Sequence, residues 1–118
     1  MAKDQVMTAE EVFAIVATYM NDNNVEFVKK SYKMAEYAHR EQFRKSGEPY
    51  IIHPIQVAGI LAQLQMDPAT VAAGFLHDVV EDTEVTREVI VHEFNEEVAM
   101  LVEGVTKLSK IKYMSKEE

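Results

Sequence analysis

The chain has 118 residues, 47% hydrophobic and 27% charged, the balance of one globular domain with its own core. It has no cysteine, so disulfides and thiolate metal sites are excluded, and any metal must be held by histidine and carboxylate. The formal net charge of −8 argues against general nucleic-acid binding, DNA included. It leaves room for a small phosphorylated ligand, because a metal and a few cations can reverse the field in one pocket.

The start, Met1-Ala2-Lys3-Asp4, lacks the apolar run behind a basic flank that marks a signal peptide. No segment approaches the roughly 20 apolar residues that span a bilayer. The expectation is a soluble cytoplasmic protein with no membrane partner.

Apolar residues recur at three and four rather than at two, which predicts an all-α fold of six helices. Thr8 caps the first, with Glu11 completing a capping box, and the helix runs to about Asn21 with Val12, Ile15, Val16 and Tyr19 inward. Asn21-Asp22-Asn23-Asn24 forms a turn and cap. The second helix spans about Val25 to Phe43 and buries Phe27, Val28, Tyr32, Ala35 and Ala38. A loop follows, from Arg44 to Tyr50. Pro54 suits a first helical position, which puts His53 at the cap of a third helix ending near Leu64. Asp67-Pro68 opens a fourth, running to about Glu81, and Thr83 to Val85 breaks it. Thr86 caps a short fifth helix to Phe94. Asn95 caps a sixth to about Lys110, and Tyr113 to Glu118 read as a polar, frayed end.

The fourth helix carries the most chemistry. An apolar run, Val71 to Leu76, leads into His77-Asp78, and Val79-Val80 separates that doublet from Glu81-Asp82. Residues four apart share a helix face, so His77 stacks with Glu81 and Asp78 with Asp82. One turn then offers an imidazole and three carboxylates to one point. Buried carboxylates are costly without a positive partner, and a divalent cation answers that need. The doublet alone is a weak signal, since a lone buried histidine is more often a hydrogen-bonded core residue than a ligand. The apolar flanks favour the metal. Manganese, zinc, iron or magnesium would suit such a donor set.

His53 is the natural second imidazole, because a residue before proline is pushed away from helical geometry and can point towards a neighbouring helix. A plain capping histidine fits it equally well. His39 and His92 lie in polar surroundings and read as surface residues. Arg44-Lys45-Ser46-Gly47 combines two cations, a hydroxyl and a flexible backbone, which suits phosphate or a base edge. Taken alone, it reads as a solvated basic loop. Lys29-Lys30 and Lys107 to Lys112 read as solvated helix faces.

Three segments together resemble a known family. They are Arg-Lys-Ser-Gly-Glu-Pro-Tyr-Ile-Ile-His-Pro (44–54), Gly-Phe-Leu-His-Asp-Val-Val-Glu-Asp-Thr (74–83) and Val-Glu-Gly-Val-Thr-Lys-Leu (102–108). A spaced histidine followed by His-Asp is the signature of the HD phosphohydrolase superfamily. The longer match resembles the RelA/SpoT-type (p)ppGpp synthetase/hydrolases, from about Val6 to the end.

That resemblance implies a helical HD-domain bundle that removes the 3′-diphosphate from ppGpp or pppGpp, releasing GDP or GTP and pyrophosphate, with Mn2+ as the usual ion. It implies that His53, His77 and Asp78 are metal ligands. Glu81 and Asp82 match the acidic pair that orients or activates the attacking water. Arg44, Lys45 and Ser46 match the loop against the guanine nucleotide, with Tyr50 beside it. The family's further metal-ligand aspartate, in an Asp-Arg-Leu-His-Asn context, has no counterpart in this chain. Residues 1–118 are therefore expected to be the N-terminal part of the hydrolase domain, without its later helices or the synthetase and regulatory domains.

The resemblance further implies a parent that also synthesises (p)ppGpp from GTP or GDP and ATP, and that contacts the ribosome through domains absent here. The piece by itself is expected to bind Mn2+ weakly and to hydrolyse ppGpp poorly. Apolar surface left exposed by the missing half is expected to drive self-association; a clean monomer in sedimentation at micromolar concentration would remove that expectation. Two alternatives stay open: an HD phosphohydrolase for another nucleotide, and a non-catalytic regulatory or interaction module on the same scaffold.

Overall fold

The computed structural model describes residues 6–105. Among them are helices α1 (Ala9–Ala17), α2 (Asp22–Ala38), α3 (Ile52–Gln63), α4 (Pro68–Leu76), α5 (Val79–Asp82) and α6 (Arg87–Glu93), followed by a helical stretch over 96–105, here α7. The all-α expectation holds. The readings for Met1 to Asp4, for Lys107 to Lys112 and for the last residues lie outside the described region.

The caps follow the sequence. Thr8 accepts from the Glu11 N–H while the Glu11 side chain accepts from the Thr8 N–H, a complete capping box. Asn21 and Thr86 cap α2 and α6, and Asn95 accepts from the Val98 N–H to start α7. Pro68 opens α4, where its missing N–H costs nothing.

The core sits around α4. Val71 to Leu76 are all buried, and α4 packs between α2 and α3, with α1 lying across α2 and α3. Phe75 meets Phe13 and Tyr32, at ring-centroid distances of 6.3 and 5.5 Å. Gly74 lets α3 approach closely. A Cβ there would lie 3.1 Å from the Ala58 Cα, a backbone atom that cannot step aside. Lys30 reaches from α2 to the Glu93 carbonyl at 2.6 Å and stands over the Phe94 ring. It therefore tethers α6, beyond the solvated role read for it. Arg87 joins α6 to α7 through Glu96 and Glu103.

Several boundaries differ from expectation: α1 stops at Ala17 rather than about Asn21, and α2 starts at Asp22 rather than about Val25. α2 ends at Ala38, not Phe43, because residues 42–50 find better backbone partners in a tight loop. Tyr50 N–H donates to the Gln42 carbonyl at 2.9 Å, Arg44 N–H to Glu48 at 2.8 Å, and Phe43 pairs with Pro49. Gly47 turns that loop with φ +95°, a conformation that side chains resist. α3 begins at Ile52, so His53 sits inside its first turn and not at the cap. Pro54 is tolerated there because the first four N–H groups of a helix lack intrahelical partners.

The fourth predicted helix is split. α4 stops at Leu76, Asp78 takes φ −98° and ψ −4°, and α5 restarts at Val79. The reason is local. His77 Nδ1 hydrogen-bonds the Gly74 carbonyl at 2.8 Å, the acceptor an unbroken helix would offer to the Asp78 N–H.

Candidate metal centre

The break at His77-Asp78 delivers the chemistry. The His77 ring is 2% exposed, at the C-terminal end of the buried helix α4. The Gly74 carbonyl is an acceptor, so Nδ1 carries a proton there and Nε2 is the ring nitrogen left facing the centre. That nitrogen is 3.2 Å from Asp78 Oδ2, and His53 Nε2, arriving from the first turn of α3, is 3.6 Å from the same oxygen. The three ligand atoms of His53, His77 and Asp78 all lie within 4.8 Å of one another.

This donor set fits a divalent cation. Neighbouring ligands around an ion with bonds of about 2.1 Å sit about 3.0–3.4 Å apart, and the two imidazole nitrogens lie 3.2 and 3.6 Å from Asp78 Oδ2. Two imidazoles and one carboxylate also match the chemistry of first-row transition ions.

The electrostatics of the group are coupled. Burial raises the carboxyl of Asp78, but the hydrogen bond and charge of His77, with help from Tyr50 and His53, hold it below its usual value. Burial pushes His77 down, and the Asp78 hydrogen bond and charge outweigh this and leave it raised. Burial lowers His53; Asp78 pulls it up, while the charges of His77, Arg44 and His39 push it down again. The phenol of Tyr50 is held well above its ordinary value, first by burial and then by the Asp78 carboxylate that it donates to.

The remaining site residues are spread around this group. Asp82 keeps its place one turn from Asp78: the Tyr50 hydroxyl meets Asp78 Oδ2 at 2.7 Å and Asp82 Oδ2 at 3.3 Å. Glu81 is exposed and lines a neighbouring small cavity with Arg87 and Glu103, outside the ligand cluster. Arg44, Lys45 and Ser46 are exposed on the 42–50 loop. Arg44 is close enough for its charge to act on His53. Asp82 also borders an open cleft of about 740 Å³ with Tyr37, Gln42 and Thr83.

His92 is on the surface, its side chain 85% exposed, as read. His39 is not: it is 2% exposed, packed on the Tyr50 ring at 4.7 Å and hydrogen-bonded to Gln42. A signal for it was present. Val28, Ser31 and Ala35 are buried, and one further helical step along that stripe reaches His39. The polar neighbours of His39 obscured that period. Gln42 carried no comparable signal, because its partner, the Asp82 carbonyl, is 40 residues away.

A family model described as HD domain matches residues 31–118. The chain is 50% identical over 95 residues to the GTP pyrophosphokinase of Myxococcus xanthus, covering 80% of this chain and 12% of that protein. It is 47% identical over 113 residues to the guanosine-3′,5′-bis(diphosphate) 3′-pyrophosphohydrolase of Aquifex aeolicus, covering 96% of this chain and 16% of the relative. It is 43% identical over 109 residues to the bifunctional (p)ppGpp synthase/hydrolase SpoT of Escherichia coli, again 16% of that protein. The chain thus spans less than a fifth of the length of these relatives.

Proposed function

The chain belongs to the HD-domain family, and on that premise we propose that it carries the metal-binding part of a (p)ppGpp 3′-pyrophosphohydrolase. The observation that carries the reading is the convergence of His53, His77 and Asp78 on one point. The names of its relatives support the substrate. Water would add to the phosphorus bonded to the ribose 3′ oxygen, and the P–O bond to that oxygen would break. GDP or GTP would leave with a proton on the 3′ oxygen, together with pyrophosphate.

The ion expected is Mn2+, held by His53, His77 and Asp78. It would supply a Lewis acid that makes water more acidic and draws charge from a phosphoryl oxygen. The chain's own groups do the rest. The Gly74 carbonyl keeps Nε2 of His77 aimed at the centre. Asp82, exposed at the mouth of the open cleft, would hold the attacking water and take its proton, with Glu81 as the second acid. Arg44 and Lys45 would offset the nucleotide's negative charge, and Ser46 would offer a hydroxyl.

Calorimetric titration tests this reading. The chain should bind Mn2+, more tightly at about pH 8 than at about pH 6, because a protonated imidazole cannot ligate and His77 holds its proton to a higher pH than an ordinary histidine. ppGpp should then bind in a Mn2+-dependent way and better than GDP, which lacks the 3′-diphosphate. Absence of Mn2+ binding, or equal affinity for GDP, would sink the proposal.

A further inference from the structure

The Asp78 oxygen that both histidines approach is also the oxygen that the Tyr50 hydroxyl meets, at 2.7 Å. The same hydroxyl lies 3.3 Å from Asp82 Oδ2. One phenol therefore touches the candidate metal carboxylate and the acid one turn further on. The phenol is itself held from behind. The buried His39 ring packs against it at a centroid distance of 4.7 Å.

His39 is locked in turn. The Gln42 amide nitrogen donates to the Asp82 carbonyl at 2.6 Å, so its amide oxygen is the atom facing His39 Nδ1 at 2.8 Å. That oxygen can only accept, which fixes the His39 proton on Nδ1. The His39 Nε2 is buried and has no hydrogen-bond partner among the described residues. The end of α2, the base of the 42–50 loop and α5 thereby form one frame around two carboxylates.

We infer that Tyr50 is a positioning residue that orients Asp78 for the cation and sets its spacing from Asp82, with His39 and Gln42 as the frame that aims it. The inference deepens the proposed metal centre and rests on it. A carboxylate on two rotatable bonds must be ordered before it can ligate. A hydrogen bond already made to the ligating oxygen does that ordering in advance, and groups in this role commonly change metal affinity by about 10–100-fold.

Tyr50→Phe in the full 118-residue chain removes the hydroxyl and leaves the ring to pack on His39. The expected result is Mn2+ binding weaker by about tenfold in a calorimetric titration, with the chain folded and its metal-free unfolding midpoint lowered only by the loss of one hydrogen bond. The tyrosine absorbance difference induced by Mn2+ in the wild-type chain should disappear in the same variant. Tyr37→Phe, which alters an exposed ring, should change neither readout. Wild-type affinity in Tyr50→Phe overturns the inference and leaves the metal centre standing. So does a lowered midpoint that accounts for the lost affinity, or an equal loss in Tyr37→Phe. If the wild-type chain binds no Mn2+, the metal centre and the inference fall together.

Discussion

Replacing His77 with alanine should abolish Mn2+ binding, a loss of more than about 100-fold, since even groups that only support a ligand are worth about 10–100-fold. The side chain is one of the three candidate donors whose ligand atoms lie within 4.8 Å of one another. Its ring is locked at both ends, by the Gly74 carbonyl at 2.8 Å and by Asp78 at 3.2 Å. His77→Ala also leaves a void beneath the site and strips Asp78 of the neighbour that holds its carboxyl low, which should cost about 1–3 kcal/mol of stability. Metal titration and denaturant unfolding on the same samples separate the two effects. A folded variant that binds Mn2+ as tightly as wild type would place the centre elsewhere.

Phe75→Ala should have the largest effect on folding, about 3–5 kcal/mol. Phe75 is fully buried and its ring meets Phe13 of α1 and Tyr32 of α2, so the truncation empties the point where three helices meet. A small domain holds about 5–15 kcal/mol in total, so the variant should be close to unfolding at ambient temperature. Metal binding should fall with the folded population and recover where low temperature or an osmolyte restores it. A shift in the urea midpoint worth less than about 1 kcal/mol would mean that the core around α4 is far looser than its burial implies.

The two outcomes would be linked because site and core share one helix. Phe75 and His77 are two residues apart on the same buried segment, and Gly74 serves both ends of it. Its missing side chain allows α3 to come close to α4, and its carbonyl aims the His77 ring. The close approach of α3 is also what brings His53 within reach of Asp78. Packing and ligand geometry therefore have a common cause.

Much of the fold was legible because its signals are local. Thr8, Asn21, Thr86 and Asn95 cap the helices they precede, and Pro68 starts α4, since capping depends on groups within three or four residues. The apolar run Val71 to Leu76 correctly marked the most buried helix. The three residues that the sequence singled out as candidate ligands, His53, His77 and Asp78, lie together in the structure. What failed were continuations. The periodicity of α2 ran on past Ala38, and that of α4 ran on past Leu76, because sequence spacing alone does not price the competing hydrogen bonds. The Gln42–Tyr50 backbone pair ends the first, and the His77 ring on the Gly74 carbonyl accompanies the end of the second.

By itself, then, the sequence determined the helical class, the caps, the buried identity of α4 and the choice of residues able to hold a cation. Each of these follows from residue type and from partners a few positions away. Tertiary structure alone decided that His39 turns inward beneath Tyr50 and that one phenol joins Asp78 to Asp82. The Tyr50 contacts to Asp78 and Asp82 bridge 28 and 32 residues of chain. Their strength depends on burial and on distances of a few ångströms, and neither exists until the helices have packed.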